Sequence, residues 1–368
     1  VRIIMAKEFR APGKDVVQKI RQEMGLNEER VKESVEALKK WLATEPHLPE
    51  ESGVRLCDMY SNQELAEIHF MYGKADGNAA LARRLYQERK PVICFVSLPG
   101  SLHEARLERW LIRCKNSMER TKQSIDLYYT LKSLSPDLMC DWNPRSKRYL
   151  DTVQTFCYFP MPELTPEGDR VIIMKYLTKN TINYTHDDIA KMILISNEAR
   201  MCEEYCFSDI YVFDLENYTL GHASRVTFTT TKKGIVCSMD ALGTRLKAFH
   251  FINAPSCAEV VIWMIKAVLN PKLISRVRIF SLNVYVHGKD LTEFSKQVPR
   301  MCLPDDLGGT GGSLQENWNL WLKKVDSYRN WFKQHENFKS DESKRQGGAL
   351  NSDDVFGFEG SFKELNVD

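Results

Sequence analysis

The sequence predicts an α/β fold in which a helical N-terminal part precedes a largely parallel sheet covered by helices. Three observations predict it. Up to about residue 140, apolar residues recur at helical spacing. From about Val153, short apolar strand-like runs alternate with helical stretches. Strands separated by helix-length segments are joined by crossovers, so they lie parallel in one sheet. The chain has 368 residues, 43% hydrophobic and 27% charged, enough for two domains and a real core.

The first helix signal is Glu29 to Leu42, with Val31, Val35, Leu38, Trp41 and Leu42 on one face and Pro46 and Pro49 beyond it. A second runs from about Met118 to Ser133, with Ile125, Leu127, Tyr128 and Leu131 on one side. Four runs read as strands: Val171 to Tyr176, Ile210 to Phe213, Ala248 to Ile252 and Arg276 to Phe280. Helices are expected near 186–204, 226–240 and 256–269, the first capped by Thr185 with Asp188 three residues on. Gly308 to Gly312 reads as a flexible joint rather than a phosphate cradle, because no lysine follows it. After it, Ser313 and Glu316 make a capping box, and Trp318, Trp321, Leu322, Val325, Tyr328 and Phe332 form a docking stripe. Lys339 to Asp368 is polar and is expected to wrap the surface loosely.

Composition narrows the function. A formal net charge of +2 is too small for a surface that grips nucleic acid throughout, so anion binding needs a local cluster. Ten cysteines stand without metal-ligand spacing, and the Cys202/Cys206 pair has no partner pair. Dispersed thiols fit a reducing compartment, and Met5 with the residues after it reads as a cytosolic start. The longest apolar run, Val260 to Leu269, is broken by Lys266 and is too short to span a bilayer. Gly-x-Ser-x-Gly, a Walker lysine and His-Glu-x-x-His are all missing, so no catalytic residue, metal or cofactor is expected. His250 alternates with Phe249 and Phe251 and reads as a hydrogen-bonded core histidine.

The helix over 257–269 carries the most information. Val260, Val261, Met264, Ile265, Val268 and Leu269 cover most of it, leaving Glu259, Trp263, Lys266 and Asn270 on one stripe. So wide an apolar face meets either core on both sides or core and a ligand. Trp263 beside Lys266 also suits a membrane interface. Arg245 and Lys247 before it, with Lys272, Arg276 and Arg278 after it, are either a solvated basic face or a site for phosphate groups.

His250-Phe-Ile-Asn-Ala-Pro255, Val286-His-Gly288, Leu303-Pro-Asp-Asp-Leu-Gly-Gly309 and Phe213-Asp-Leu-Glu-Asn-Tyr-Thr-Leu-Gly-His222 together resemble the CRAL-TRIO (Sec14-like) lipid-binding family. Cys114 to Lys122 with Tyr128-Tyr129 resembles its N-terminal helical module, and Asp341 to Arg345 with Asp354 to Phe362 resembles the tail of insect alpha-tocopherol-transfer-like members. The resemblance implies an N-terminal helical module (5–52 and 104–140), a lipid-binding domain with a mostly parallel five-stranded sheet and a lid helix (150–312), and a C-terminal helix and tail (313–368). It implies a cytoplasmic carrier without enzymatic activity. Its partners would be a small lipophilic ligand such as a tocopherol or retinoid, and phosphoinositide-containing membranes met peripherally. By register, the pocket would be lined by Met192, Ile195, Phe213, Val226, Cys237, Leu242 and Phe249, each of which an ordinary core would also hold. The lid would be the helix of Val260, Val261, Met264, Ile265, Val268 and Leu269, and the phosphoinositide ligands Arg245, Lys272 and Arg276. Leu307 stands where relatives carry an aromatic, and Arg278 to Asn283 lengthens the strand region before His287.

Residues 53–103 break the family pattern. Tyr60 to Arg89 resembles a helix-turn-helix module of transposon-derived proteins, with Leu65, Ile68 and Met71 on one helix and Arg83, Arg84 and Arg89 on the next. The alternative to a carrier is therefore a DNA-binding or non-functional fusion product. One small module with little net charge binds nucleic acid weakly, so nucleic acid is not the expected partner.

Overall fold

The computed structural model describes residues 13–49, 99–269, 283–288 and 291–357. The helix-turn-helix resemblance and the basic residues Lys272, Arg276 and Arg278 lie outside them, as does the strand expected at Arg276 to Phe280.

Among the described residues, the long helices that precede the sheet are α1 (Lys14–Glu23), α2 (Glu28–Thr44), α3 (Pro99–Arg113) and α4 (Met118–Leu134). The periodic residues Val31, Val35 and Leu38 of α2, and Ile125, Tyr128 and Leu131 of α4, are buried as their spacing predicts. Asn27 and Ser117 cap α2 and α4 by accepting from backbone N–H groups three residues on.

The sheet follows: β1 (Phe156–Leu164), β2 (Arg170–Tyr176), β3 (Asp209–Asp214), β4 (Leu246–Ile252) and β5 (Asn283–Val286), in that spatial order. β1 runs antiparallel to β2, and all other pairs are parallel. The edge strand beside β4 is thus Asn283–Val286, closer to His287 than the run read as a strand from sequence. Register sorts the side chains onto two faces. Phe156, Tyr158, Met174, Tyr176, Tyr211, Phe213, Phe249 and Phe251 share one face. Phe159, Ile173, Val212, His250 and Tyr285 share the other.

Helices α5 (His186–Glu203), α6 (Phe228–Val236) and α7 (Glu259–Val268) supply the crossovers. Thr185 caps α5 by accepting from Asp188 N–H, as predicted. A π turn, Cys237–Ala241, extends α6. On the second face lies α8 (Leu314–Ser327), whose Trp318 packs 6.0 Å from Phe159 and whose Trp318 and Trp321 are buried.

Two expectations need correction. Gly308 to Gly312 is not a flexible joint. Thr310 and Gly311 N–H donate to Arg300 and Leu303 carbonyls, and a Cβ on Gly309 would stand 2.0 Å from the Leu303 oxygen, so only glycine admits this approach. Nor are the described residues of the tail loose. Arg345 pairs with Asp126 on α4 at 2.8 Å, and Val355 and Phe356 are buried. In both cases backbone and ion-pair contacts distant in sequence fix segments whose composition alone signals mobility.

Candidate functional site

The Phe-Asp-Leu and Ile-Asn-Ala-Pro segments tie strand ends to the entry of α7. At the end of β3, Asp214 receives Lys175 Nζ at 2.6 Å and Asn253 Nδ2 at 2.9 Å. Asn253, in the turn between β4 and Pro255, has φ 52°, a left-handed conformation that asparagine tolerates better than most residues. The Phe-Asp-Leu and Ile-Asn-Ala-Pro motifs thereby fix where the chain leaves the sheet for α7. His222 closes a capping box with Thr219.

The first face of the sheet is aromatic. Phe213 packs 5.8 Å from Phe156, 5.6 Å from Tyr176, 6.4 Å from Phe249 and 6.1 Å from Phe251. Each residue assigned to the pocket is buried: Met192 and Ile195 on α5, Phe213 and Phe249 on the aromatic face, Val226 before α6, Cys237 in the π turn and Leu242 after it. All seven belong to one continuous core. Sequence reading missed a polar band within the same layer. Tyr158 donates to Asn197 Oδ1 at 2.7 Å and lies 3.2 Å from Tyr211 Oη, and Asn197 Nδ2 donates to Ser238 Oγ at 3.3 Å. Its members come from four separate elements, so no local pattern announces it.

Helix α7 is two-sided. Val261, Ile262, Ile265 and Val268 are buried, as is Leu269 just beyond, and Met264 is half-buried. Val260 and Trp263 are 47% and 64% exposed, so Val260 belongs with Trp263 on the outer face rather than with the apolar inner one. Leu220 and Ile182, 74% and 81% exposed, project from the short helix Leu220–Ala223 and from the loop before α5. Gly221 approaches Thr181, which brings these two segments together.

Arg245 lines a separate cavity of about 1120 Å3 of mixed character, with Arg113, Lys115, Arg120 and Lys247 among its walls beside Glu167, Asp169 and Asp240. Arg245 Nη1 is buried and unpartnered. Burial lowers the pKa of both Arg245 and Lys115, and the charge of Arg120 pushes both the same way. Arg113 donates to the Leu242 carbonyl at 2.9 Å, and Lys247 pairs with Asp169. Acidic side chains, Asp169 among them, share these walls and partly balance the cations, which leaves Arg245 Nη1 as an unpartnered donor of the cavity.

His250 is the core histidine its strand position predicts. Its Nδ1 lies 3.1 Å from His287 Nε2, so one ring donates and the other accepts, and burial lowers its pKa to about 4. Among the described residues no helix is long and apolar enough to cross a membrane.

Residues 156–309 match the CRAL/TRIO domain. The human protein called alpha-tocopherol transfer protein-like is 26% identical over 231 residues, 62% of this chain and 65% of that one. Human clavesin-2 is 24% identical over 196 residues, 52% of this chain and 54% of that one. Xenopus laevis clavesin-1 is 29% identical over 125 residues, 33% of this chain and 36% of that one. The chain thus spans 65% or less of the length of these curated relatives.

Proposed function

We propose, from the premise that residues 156–309 are a CRAL/TRIO domain, that this chain is a carrier that holds one small lipophilic ligand. The cargo lies between the aromatic face of the sheet and helices α5 to α7, against Met192, Ile195, Phe213, Val226, Cys237, Leu242 and Phe249. Helix α7 is the lid. Residues 150–312 form the carrier domain, the helices of 5–52 and 104–140 brace it, 53–103 is an insertion, and 313–368 closes the second face of the sheet.

The observation that carries this reading is the two-sidedness of α7. A core helix buries its apolar residues, whereas this one keeps Trp263 and Val260 in solvent while sealing the core with its other face. An exposed tryptophan and valine, with Leu220 and Ile182 on nearby segments, suit partial insertion into a lipid surface. Arg245, whose Nη1 is buried and unpartnered, receives a phosphate of a phosphoinositide headgroup, and Lys272 and Arg276, assigned by resemblance alone, are its companion ligands. A relative's name refers to alpha-tocopherol transfer, which makes tocopherol, with retinoids, the first cargo to test.

The test separates the two halves of the reading. Native mass spectrometry and organic extraction of the purified chain should yield a single stoichiometric lipophile. Lys272→Ala combined with Arg276→Ala should weaken sedimentation with phosphoinositide vesicles and leave tocopherol or retinol uptake intact. Unchanged vesicle binding refutes the headgroup assignment, and an empty protein that takes up neither probe refutes the carrier.

A further inference from the structure

Three buried polar atoms without a hydrogen-bond partner lie in one aromatic cluster. They are the hydroxyls of Tyr184 and Tyr218 and Nε2 of His222, on side chains 2%, 3% and 0% exposed. Their rings all pack on Tyr176, with centroids 6.0, 5.3 and 4.5 Å from it. The His222 ring is also 5.0 Å from Tyr184 and 5.7 Å from Tyr218. Tyr184 comes from the loop before α5, Tyr218 from the turn after β3, and His222 from the short helix Leu220–Ala223. Tyr176 stacks on Phe213, so this cluster is continuous with the aromatic face assigned to the cargo. It also meets the lid, because Cys257 Sγ, just before α7, lies 4.0 Å from the Tyr218 carbonyl oxygen.

The tautomer of His222 follows from its other nitrogen. Thr219 N–H donates to Nδ1 at 3.1 Å, so Nδ1 is the acceptor and the ring hydrogen sits on Nε2. Burial, aided by the charge of Arg225, lowers the His222 pKa to about 4, and the ring is neutral at pH 7. Nε2–H is therefore a fixed donor in an apolar corner with nothing to donate to. Each buried polar group left unpaired is a cost to the folded chain, and three in one place are removed together by one incoming oxygen-bearing group. The nearby cation is already engaged, since Arg225 donates to the Thr181 and Tyr184 carbonyls. The corner thus offers donors and hydroxyls without a free counter-charge, which favours a neutral oxygen over a carboxylate.

We propose that Tyr184, Tyr218 and His222 form the polar anchor for a hydroxyl or carbonyl oxygen at one end of the lipophilic cargo, beside the hinge of the lid. The proposal rests on the carrier reading and adds to it the chemical class and orientation of the ligand. His222 Nε2–H donates to the ligand oxygen, and either tyrosine donates to it or accepts its hydrogen.

The experiment titrates the full chain with all-trans-retinol and with the same polyene lacking the oxygen, following tryptophan-to-polyene energy transfer. Tyr184→Phe combined with Tyr218→Phe removes two unpartnered atoms and keeps both rings, so the urea midpoint should hold or rise. Retinol affinity should then fall by about tenfold, as for a lost hydrogen bond to a buried group, while affinity for the oxygen-free polyene stays constant. Equal losses for both probes would mean that the rings pack and do not anchor. No loss for either, or equal wild-type affinity for the two probes, overturns the anchor and leaves the carrier standing. Wild-type protein that binds neither probe and no tocopherol overturns the carrier, and the anchor with it.

Discussion

Replacing Arg106 by methionine should weaken the packing of the N-terminal helices on α5, at the cost of stranding a buried charge. Arg106 on α3 donates to both oxygens of Glu198 on α5, at 2.7 and 3.2 Å, and the two side chains are 1% and 0% exposed. Tyr128 Oη and Trp331 Nε1 each donate to Glu198 at 3.1 Å. The guanidinium also lies 4.6 Å from the Trp110 ring and 5.2 Å from the Tyr128 ring. Removing one member of such a pair strands a buried charge, which costs about 3–5 kcal/mol. The titration of Glu198 points the same way. Burial alone would raise its pKa, but Arg106, with His335 and Lys132, outweighs burial and brings it from 4.5 to about 2. The ionised form of Glu198 therefore contributes stability at neutral pH. Because the folded pKa is the lower one, this stability is complete above about pH 4.5 and is lost as pH falls toward 2.

Urea denaturation of Arg106→Met at pH 7 should therefore lower the midpoint by about 1 M, taking an m-value of roughly 3 kcal/mol/M. The paired variant Arg106→Met with Glu198→Gln should recover part of the loss, since it removes the stranded carboxylate charge and keeps an acceptor for Tyr128 and Trp331. A single-variant loss below about 1 kcal/mol would refute the reasoning, given the magnitude expected for a stranded charge. So would a double variant as unstable as the sum of the two singles.

Two further outcomes follow from other parts of the fold. Burial holds both His222 and His250 near pKa 4 against 6.5 unfolded, so stability should decline as pH falls from about 6.5 toward 4, in a window above that of Glu198. Urea midpoints across that range check it, and His250→Gln should flatten part of the slope. Gly309→Ala should abolish soluble folded protein, because its Cβ would meet the Leu303 backbone at 2.0 Å. Gly308→Ala, with φ 75° and open space around it, should cost only about 1 kcal/mol in thermal unfolding.

Where periodicity was dense, the sequence was a good guide. The centres of the stripes on α2, α4 and α8 are buried as spacing predicts, whereas Trp41, Leu42, Leu127 and Leu322 are half-buried and the last stripe runs on past the end of α8 to Tyr328 and Phe332; Thr185 caps α5. β1 escaped because Pro160 and Pro162 argue against a strand. The fold admits them because β1 is an edge, paired only with β2, and its register shifts between Pro160 and Leu164. The last strand presented two β-rich runs in succession, Arg276 to Phe280 and Asn283 to Val286. The second is positioned by contacts to β4, where His287 N–H donates to the Phe251 carbonyl at 2.7 Å and the His287 ring meets His250. Neither contact is visible along the chain.

The residues assigned to the pocket were readable only as buried apolar positions, and burial does not separate a ligand wall from an ordinary core. Polar satisfaction does. In the middle of the sheet, Tyr158, Tyr211, Asn197 and Ser238 satisfy one another, so a cargo oxygen placed there would have to break existing bonds to gain its own. At the strand ends, Tyr218 Oη and His222 Nε2 have no hydrogen bond to give up, and Tyr184 Oη has only a weak interaction with Tyr176. If the chain is the carrier proposed above, this difference orients its cargo, with the oxygen beside the start of α7 and the hydrocarbon along Phe213, Phe249 and Phe251. Movement of α7 as a lid would then expose the oxygen end first, where Leu220, Val260 and Trp263 already face outward and a membrane's polar boundary could replace the hydrogen bonds being lost.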